Sequence, residues 1–240
     1  MTAPLSPRDV ELLDNLPWFA LTSRHRHLAE GTGAARRYRP DVAGFVGIET
    51  TRPEAWDDLA AVVGTGEQVA VFGAISTDAP AGWTRLGGGA GRQMILVDDS
   101  RLSAADDRIV RLDVSHVPQM LALVELTKPG PFRPRTIEMG SYFGAFDDDG
   151  RLIALAGERL GVDGFTEISA VCTHPDAQGV GWGGRLTSHV ARHIAARGES
   201  AILHVAETNV NAQRVYDRLG FTLRSEVQFT LLESPSAAAA

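Results

Sequence analysis

Cysteine is almost absent from this sequence. With Cys172 alone, no intrachain disulfide can form, which fits a reducing compartment. Lysine is as scarce: Lys128 stands alone among many arginines, a bias that reads, with the Ala-rich C-terminus, as genomic base composition rather than chemistry. Long apolar runs are missing too. None approaches the ~18 residues of a membrane-spanning helix, so no membrane partner is expected. The opening MTAPLSPRDVELLDNLP lacks a basic start followed by an apolar core, so it does not read as a signal peptide, and a cytoplasmic location is the expectation. Positive charge is also lacking. The net charge of −7 disfavours a nucleic-acid partner, because a phosphate backbone needs a basic face. Residues 174–224 are the local exception, with a small excess of arginine over acidic residues that would suit a modest anionic ligand.

What is present is enough for a substantial core: 240 residues, 44% of them hydrophobic, which allows one large domain or two small ones. In the first half, residues 7–16 predict a helix entered through Pro7, 18–31 a helix running to Gly31, and 53–64 a helix between Pro53 and Gly64. EQVAVFGAI and RQMILVDD read as strands, and the glycine-rich GWTRLGGGAG between them as a loop. The polar stretch DDSRLSAADD marks a boundary. The division expected is an N-terminal α/β unit over 1–104, a second domain over 105–233 and a disordered tail over 234–240. The second half reads β-α-β-β-β-α-β-α-β, with a helix over 115–128 capped by Ser115 and a hairpin turning at Asp147–Gly150. Strands joined by short turns exclude a purely parallel sheet.

THPDAQGVGWGGRL places Gly179, Gly181, Gly183 and Gly184 between a strand and a helix. A P-loop would need Lys and Ser/Thr after the last glycine, where Arg185 and Leu186 stand. A dinucleotide fingerprint should follow its strand directly, and here HPDAQ intervenes. A third frame starts at Gln178: Gln178-x-x-Gly181-x-Gly183. In it, backbone N–H groups freed by glycine point at a pyrophosphate on a helix N-terminus. Downstream, HVAETNVNAQRVYDRLGF contains Asn209-x-x-Ala212-x-x-x-Tyr216-x-x-x-Gly220-Phe221. The two patterns, in this order, resemble motifs A and B of the GNAT acyltransferase superfamily. EISAVCTHPDAQGVGWGGRL resembles the branch related to glycine N-acyltransferases. The resemblance is strong over about 135–221 and extends over 108–232.

The resemblance implies a GNAT fold: α/β, with a mixed, mostly antiparallel sheet flanked by helices, preceded here by a degenerate GNAT-like N-terminal unit. It implies transfer of an acetyl or related acyl group from acetyl-CoA to a small-molecule or peptide amine, by direct attack in a ternary complex. No metal is expected, and a homodimer is allowed for. Two other readings stay open: a non-catalytic CoA-binding sensor and a nicotinamide-dependent enzyme. Tyr216 is the implied general acid. Val171 would supply an oxyanion-binding N–H, with Cys172 and Thr173 beside it. Gln178, Gly179, Val180, Gly181, Trp182, Gly183 and Gly184 would hold the pyrophosphate, and Asn209 and Ala212 the pantetheine. Gln178 stands where arginine is commoner, and Trp182 where a smaller apolar residue is.

Other residues rest on their own chemistry. Strict alternation along EISAVCT puts Glu167, Ser169, Val171 and Thr173 on one face and Ile168, Ala170 and Cys172 on the other. A carboxylate inside a strand is costly to bury unpaired, so Glu167 is either a base at a wet cleft or one half of an ion pair. Glu138 and Tyr142 are candidate acceptor contacts. Cys172 reads as a small buried residue rather than a nucleophile. His189 and His193 share a helix face without a third metal ligand, and His25 and His27 read as a solvated helix face.

Overall fold

A computed structural model describes residues 4–76 and 78–236. The chain opens with helix α1 (Pro7–Asp14), entered through a capping box. The Ser6 hydroxyl accepts from the Asp9 N–H, and the Asp9 carboxylate accepts from the Ser6 N–H. Helix α2 (Leu16–Thr22) stops well before Gly31. The hydroxyls of Thr22 and Ser23 donate back to the carbonyls of Trp18 and Phe19, and Ser23 leaves helical backbone geometry. The rest of the expected helix is a 3-10 turn at Arg26–Leu28 and strand β1 (Ala29–Glu30). His25 is therefore not on a solvated face. It is buried, 2.7 Å from the Tyr38 hydroxyl, and burial pushes its pKa down to about 4. His27 is exposed, as expected.

β1 pairs antiparallel with β2 (Ala35–Tyr38), and β2 with β3 (Val46–Ile48), in a small sheet covered by helix α3 (Ala55–Val63). The remaining strands form one sheet. They are β4 (Gln68–Gly73), β5 (Thr84–Leu96), β6 (Val110–Leu112), β7 (Tyr142–Phe146), β8 (Leu152–Val162), β9 (Phe165–Thr173), β10 (Ser200–Ala206) and β11 (Phe221–Glu233). Their order is β4-β11-β5-β10-β9-β8-β7-β6, and only β9 and β10 run parallel. Helices α4 (Val117–Thr127), α5 (Trp182–Ala195) and α6 (Val210–Arg218) complete the second half in the order predicted.

Two sequence expectations change here. The glycine-rich GWTRLGGGAG is not a loop: most of it lies in β5, a strand of 13 residues. Its backbone is held on the long β11, and closely enough that a Cβ at Gly88 would sit 2.1 Å from the Phe229 carbonyl oxygen. Strand pairing overrides the low strand propensity of glycine. Ser115 is also not the cap of α4: it lies in a 3-10 turn at Val114–His116 that precedes the helix and is capped by Asp113, whose carboxylate accepts from the Ser115 N–H at 2.9 Å.

The sheet separates two cores. On one side α5 and α6 pack through Trp182, Leu186, Val190, Ile194 and Tyr216 onto Ile168, Leu203 and Phe221. On the other, α1 and α2 pack on Phe72, Ile95, Leu160, Phe165 and Ile202, and α4 packs on Tyr142, Leu155 and Cys172. The large sheet crosses the boundary drawn at 104/105, because β4 and β5 lie beside strands of the second half. A two-unit ancestry thus remains a proposal about origin, while the two halves share a sheet. Ser234, placed in the expected tail, is buried and donates to the Gly64 carbonyl at 2.5 Å; residues 237–240 lie outside the described residues.

One irregularity in β9 matters most. Against β8, Ser169 pairs with Gly157 and Cys172 with Leu155, so Ala170 and Val171 together oppose Ala156. This is a β-bulge, with Ala170 in the left-handed region at φ 54°. The extra residue breaks the alternation expected for EISAVCT. Ile168 and Val171 pack on the α5 side, while Ala170 and Cys172 pack on the α4 side. One inserted residue swaps every later side chain to the other face. The pairing of β10 with β9 also ends at Leu203 and Ile168, just before the bulge, so the two strands diverge beyond it.

The bulge should be sensitive to branching at Cβ. Ala170→Val is expected to cost about 1–3 kcal/mol of stability, because a branched side chain tolerates left-handed backbone poorly. Ala170→Gly should cost much less. Urea unfolding of both variants checks this, and equal losses would contradict the strained bulge.

Candidate active site

The divergence of β9 and β10 opens a cleft of about 570 Å³. Its walls are the bulged end of β9 (Ser169–Thr173), the end of β10 (His204–Ala206), Gln178, and Asn209, Ala212 and Tyr216 around α6. Seven residues expected to hold cofactor or act on it therefore meet in one place: Val171, Cys172, Thr173, Gln178, Asn209, Ala212 and Tyr216.

The glycine loop is built as a donor surface. A 3-10 turn at Pro175–Ala177 bridges β9 to the loop, and Gln178 donates to the Thr173 carbonyl at 3.4 Å. Gly179 and Gly181 take left-handed φ of 82° and 89°, the latter as N-cap of α5. Among the described residues, no protein group accepts from the N–H groups of Gly179 through Gly184. These donors and the α5 dipole make a site for an anion. Gly183 brings the helix start close to the cleft, since a Cβ there would lie 3.8 Å from Val171 Cγ1. Trp182 fills core. It is 6% exposed, and the Arg108 and Arg185 guanidiniums cover its ring at 4.7 and 5.3 Å. Val180 is exposed.

At the other end of α6, Asn209 caps the helix: its side chain accepts from the Ala212 N–H at 3.1 Å. Tyr216 is 8% exposed, with its ring edge-on to Phe221. Its hydroxyl has no hydrogen-bond partner among the described residues, and burial raises its pKa to about 12, so it is protonated at neutral pH. The cleft thus contains a phenol with a proton to give. Cys172 is a poor nucleophile by comparison. It is buried, and burial pushes its thiol up to about 11.

Glu167 is placed differently from the expected cleft-facing base. It is fully buried and does not line the cleft. Arg159 on β8 grips it through both guanidinium edge nitrogens, with Nε 2.8 Å from Oε2. His204 Nδ1 lies 2.6 Å from Oε1. Burial alone would raise the carboxyl pKa, but Arg159 and His204 outweigh it and hold the group at about 2. The second ring nitrogen of His204 faces the side-chain amide nitrogen of Gln93 at 3.0 Å, and that same amide donates to the Leu13 carbonyl at 2.8 Å. His204 Nε2 therefore accepts, and Nδ1–H donates to Glu167. Of the two readings open for Glu167, the geometry matches the ion pair.

The tentative acceptor contacts also move. Glu138 pairs with Arg135 at 2.6 Å and borders a separate depression with Arg24, Arg111 and His193. Tyr142 is buried under α4 with its ring edge-on to Phe132, and its hydroxyl has no hydrogen-bond partner among the described residues. Neither lines the cleft. His189 and His193 pack on the Phe143 ring at 4.6 and 5.1 Å. Among the described residues, no group of three or more His, Cys, Asp or Glu is placed to hold a metal.

Sequence reasoning missed other residues that line the cleft: Phe45, Lys128–Pro131, Arg159, His204 and Phe229. Phe45 arrives from the first half of the chain, with no local signal. Arg159 had one: a charged pair, Glu158–Arg159, inside the apolar run of β8, which needs partners when buried.

The match to known proteins agrees with this geometry. Residues 142–230 match the family model described as FR47-like protein. A crystal structure from Novosphingobium aromaticivorans, assigned to the GNAT family of acetyltransferases, superimposes with a TM-score of 0.85 at 33% identity. The match covers 93% of this chain and 99% of that one. This chain belongs to the GNAT family. A tandem GNAT protein of clavulanic acid biosynthesis shares the fold at 16% identity, with a TM-score of 0.55 over 84% of this chain and 79% of its own. A mycothiol acetyltransferase of Thermomonospora curvata is 41% identical over 75 residues, which is 31% of this chain and 25% of that protein. The curated relatives are thus matched over about a quarter of their length. No helix among the described residues is long and apolar enough to cross a membrane.

Removing the carboxylate of the buried pair should be severe. Glu167→Gln leaves the Arg159 charge buried without its partner, and the expected loss is about 3–5 kcal/mol at neutral pH. The effect has a pH window. The Glu167 carboxyl is held at about 2 against an ordinary 4.5, so its stabilisation is fully present above the ordinary value and is lost as pH falls from there toward 2. Denaturant unfolding of wild type and variant should show the gap narrowing across that interval. A gap constant with pH would contradict the assignment.

Proposed function

We propose that this protein transfers an acetyl group, or a related acyl group, from acetyl-CoA to an amine by direct attack in a ternary complex. The observation that carries this reading is the run of N–H donors at Gly179–Gly184, satisfied by no group among the described residues, which starts beside Gln178 on the wall of the cleft that the unpartnered phenol of Tyr216 also lines. The donors suit the CoA pyrophosphate, and Gln178, Asn209 and Ala212 border the path from there to Tyr216. The branch related to glycine N-acyltransferases is part of the proposal and rests on the stretch EISAVCTHPDAQGVGWGGRL.

In the reaction, the neutral amine nitrogen attacks the thioester carbonyl carbon. A C–N bond forms and the carbonyl electron pair moves to oxygen. The Val171 N–H, which the bulge leaves without a register partner, is the proposed donor to that oxygen. The intermediate collapses with cleavage of the C–S bond. The leaving thiolate takes the Tyr216 proton, and the new amide nitrogen releases one proton to solvent, which restores the tyrosine. Glu167 serves in this scheme as a structural anion rather than the base. A non-catalytic CoA-binding module is the second reading, favoured by one observation: no Asp or Glu lines the cleft among the described residues.

Acetyl-CoA should bind with 1:1 stoichiometry in isothermal titration, and absence of heat at high micromolar concentration would overturn the reading. Tyr216→Phe should lower kcat by about 10²–10⁴-fold with acetyl-CoA affinity little changed. Full turnover by the variant would remove the acid role. Binding without thiol release over a broad amine panel would favour the second reading.

A further inference from the structure

Arg159 is more than the partner of Glu167. A guanidinium has five N–H donors, and the carboxylate occupies one edge, through Nε and Nη2. Nη1 has no hydrogen-bond partner among the described residues, although the residue is only 9% exposed. The side chain lines the cleft, with its guanidinium carbon 4.7 Å from the centre of the Phe45 ring and 5.6 Å from that of Phe72. It is also fixed from behind. Glu167 holds Arg159, His204 holds Glu167, Gln93 holds His204, and the Leu13 carbonyl holds Gln93. An arginine locked in this way, with one arm left over, is a pre-formed donor at the Phe45 end of the cleft.

The rest of that end has a consistent chemistry. Phe45 and Phe229 make it aromatic. Lys128 stands on its rim, in left-handed geometry and without an ion-pair partner among the described residues. No acidic side chain among the described residues lines the cleft. Such a surface offers no carboxylate to a second ammonium group and offers hydrogen bonds to an oxygen.

We infer that Arg159 is the specificity-determining contact for the acceptor, and that the acceptor is an amine carrying a carboxylate or amide oxygen that accepts from Nη1. This rests on the acetyltransferase reading above and deepens it. The shared chemistry is the carbonyl-type oxygen: a free aminocarboxylate and an amino amide or peptide both supply it. A diamine or a simple alkylamine does not.

The test is a matched panel with thiol release as readout. Each set holds an aminocarboxylate, its primary amide, the alkylamine with a methyl group in place of the carboxylate, and a diamine of the same length. Acetyl-CoA binding is measured separately by calorimetry. The expected result is a kcat/KM for the carboxylate or amide that exceeds the alkylamine and diamine by at least about tenfold, carried mainly in KM. The faster of the two identifies the oxygen's source. In Arg159→Lys, which keeps a cation beside Glu167 but loses the fork, this preference should fall to within about threefold while acetyl-CoA affinity holds. The panel on the wild-type protein stands by itself if that variant folds poorly. Equal turnover of alkylamines, or acetyl-CoA binding with no turnover of any oxygen-bearing acceptor, would overturn the acceptor assignment and leave the cofactor site standing. Failure to bind acetyl-CoA would overturn the functional reading and this inference together.

Discussion

The separation of β9 from β10 governs the site. The two are the only parallel neighbours in the large sheet, and their register ends at Ile168 and Leu203. Beyond that point β9 bulges at Ala170 and Val171, and α6 follows β10 away from it. Backbone groups that would have paired across the two strands instead face a cleft, where unpaired polar main chain is costly unless a ligand or water satisfies it. The glycine loop obeys the same logic at the start of α5. Its donors have no partner among the described residues, which stores binding capacity for an anion.

The cleft is not the property of the second half alone. The β5–β11 ribbon extends the sheet past β10 and brings Phe229 to the cleft, and Phe45 reaches it from the segment before β3. Polar contacts tie the halves together. Arg24 joins Glu199 at 2.6 Å, and Gln93 links His204 to the Leu13 carbonyl. The chain from α1 to Arg159 runs through residues whose charges or amides are all but sealed from water, so each link depends on the next. This is why one ion pair, with Glu167 fully buried and Arg159 at the cleft, can shape a wall of the site while contributing no group to the bond-making chemistry.

Much of this was legible in the sequence. The order of elements after residue 108 follows from periodicity and turn residues, and the two motifs bring Gln178, Asn209, Ala212 and Tyr216 to one cleft, as their resemblance implied. What was not legible has definite physical causes. The separation of Val171 from the face that carries Glu167 depends on a one-residue bulge that no local pattern marks, because Ala170 is neither glycine nor asparagine. The glycine-rich run became a strand through pairing with a segment more than a hundred residues away. The helix over 18–31 was cut short by hydroxyl-to-carbonyl bonds at Thr22 and Ser23 that compete with the backbone. Phe45 enters the cleft through tertiary contacts alone.

The central claim is that one ligand lies along the loop from Gln178 to Gly184 and reaches the bulge of β9. Amide chemical shifts of the isotopically labelled protein, followed during titration with acetyl-CoA, test it most directly. The account predicts large, saturable changes at Gly179 through Gly184 and at Val171, with little change in the separate depression around Arg111 and Glu138. Saturable shifts that spare the glycine loop and Val171, or that centre on that depression, would contradict it.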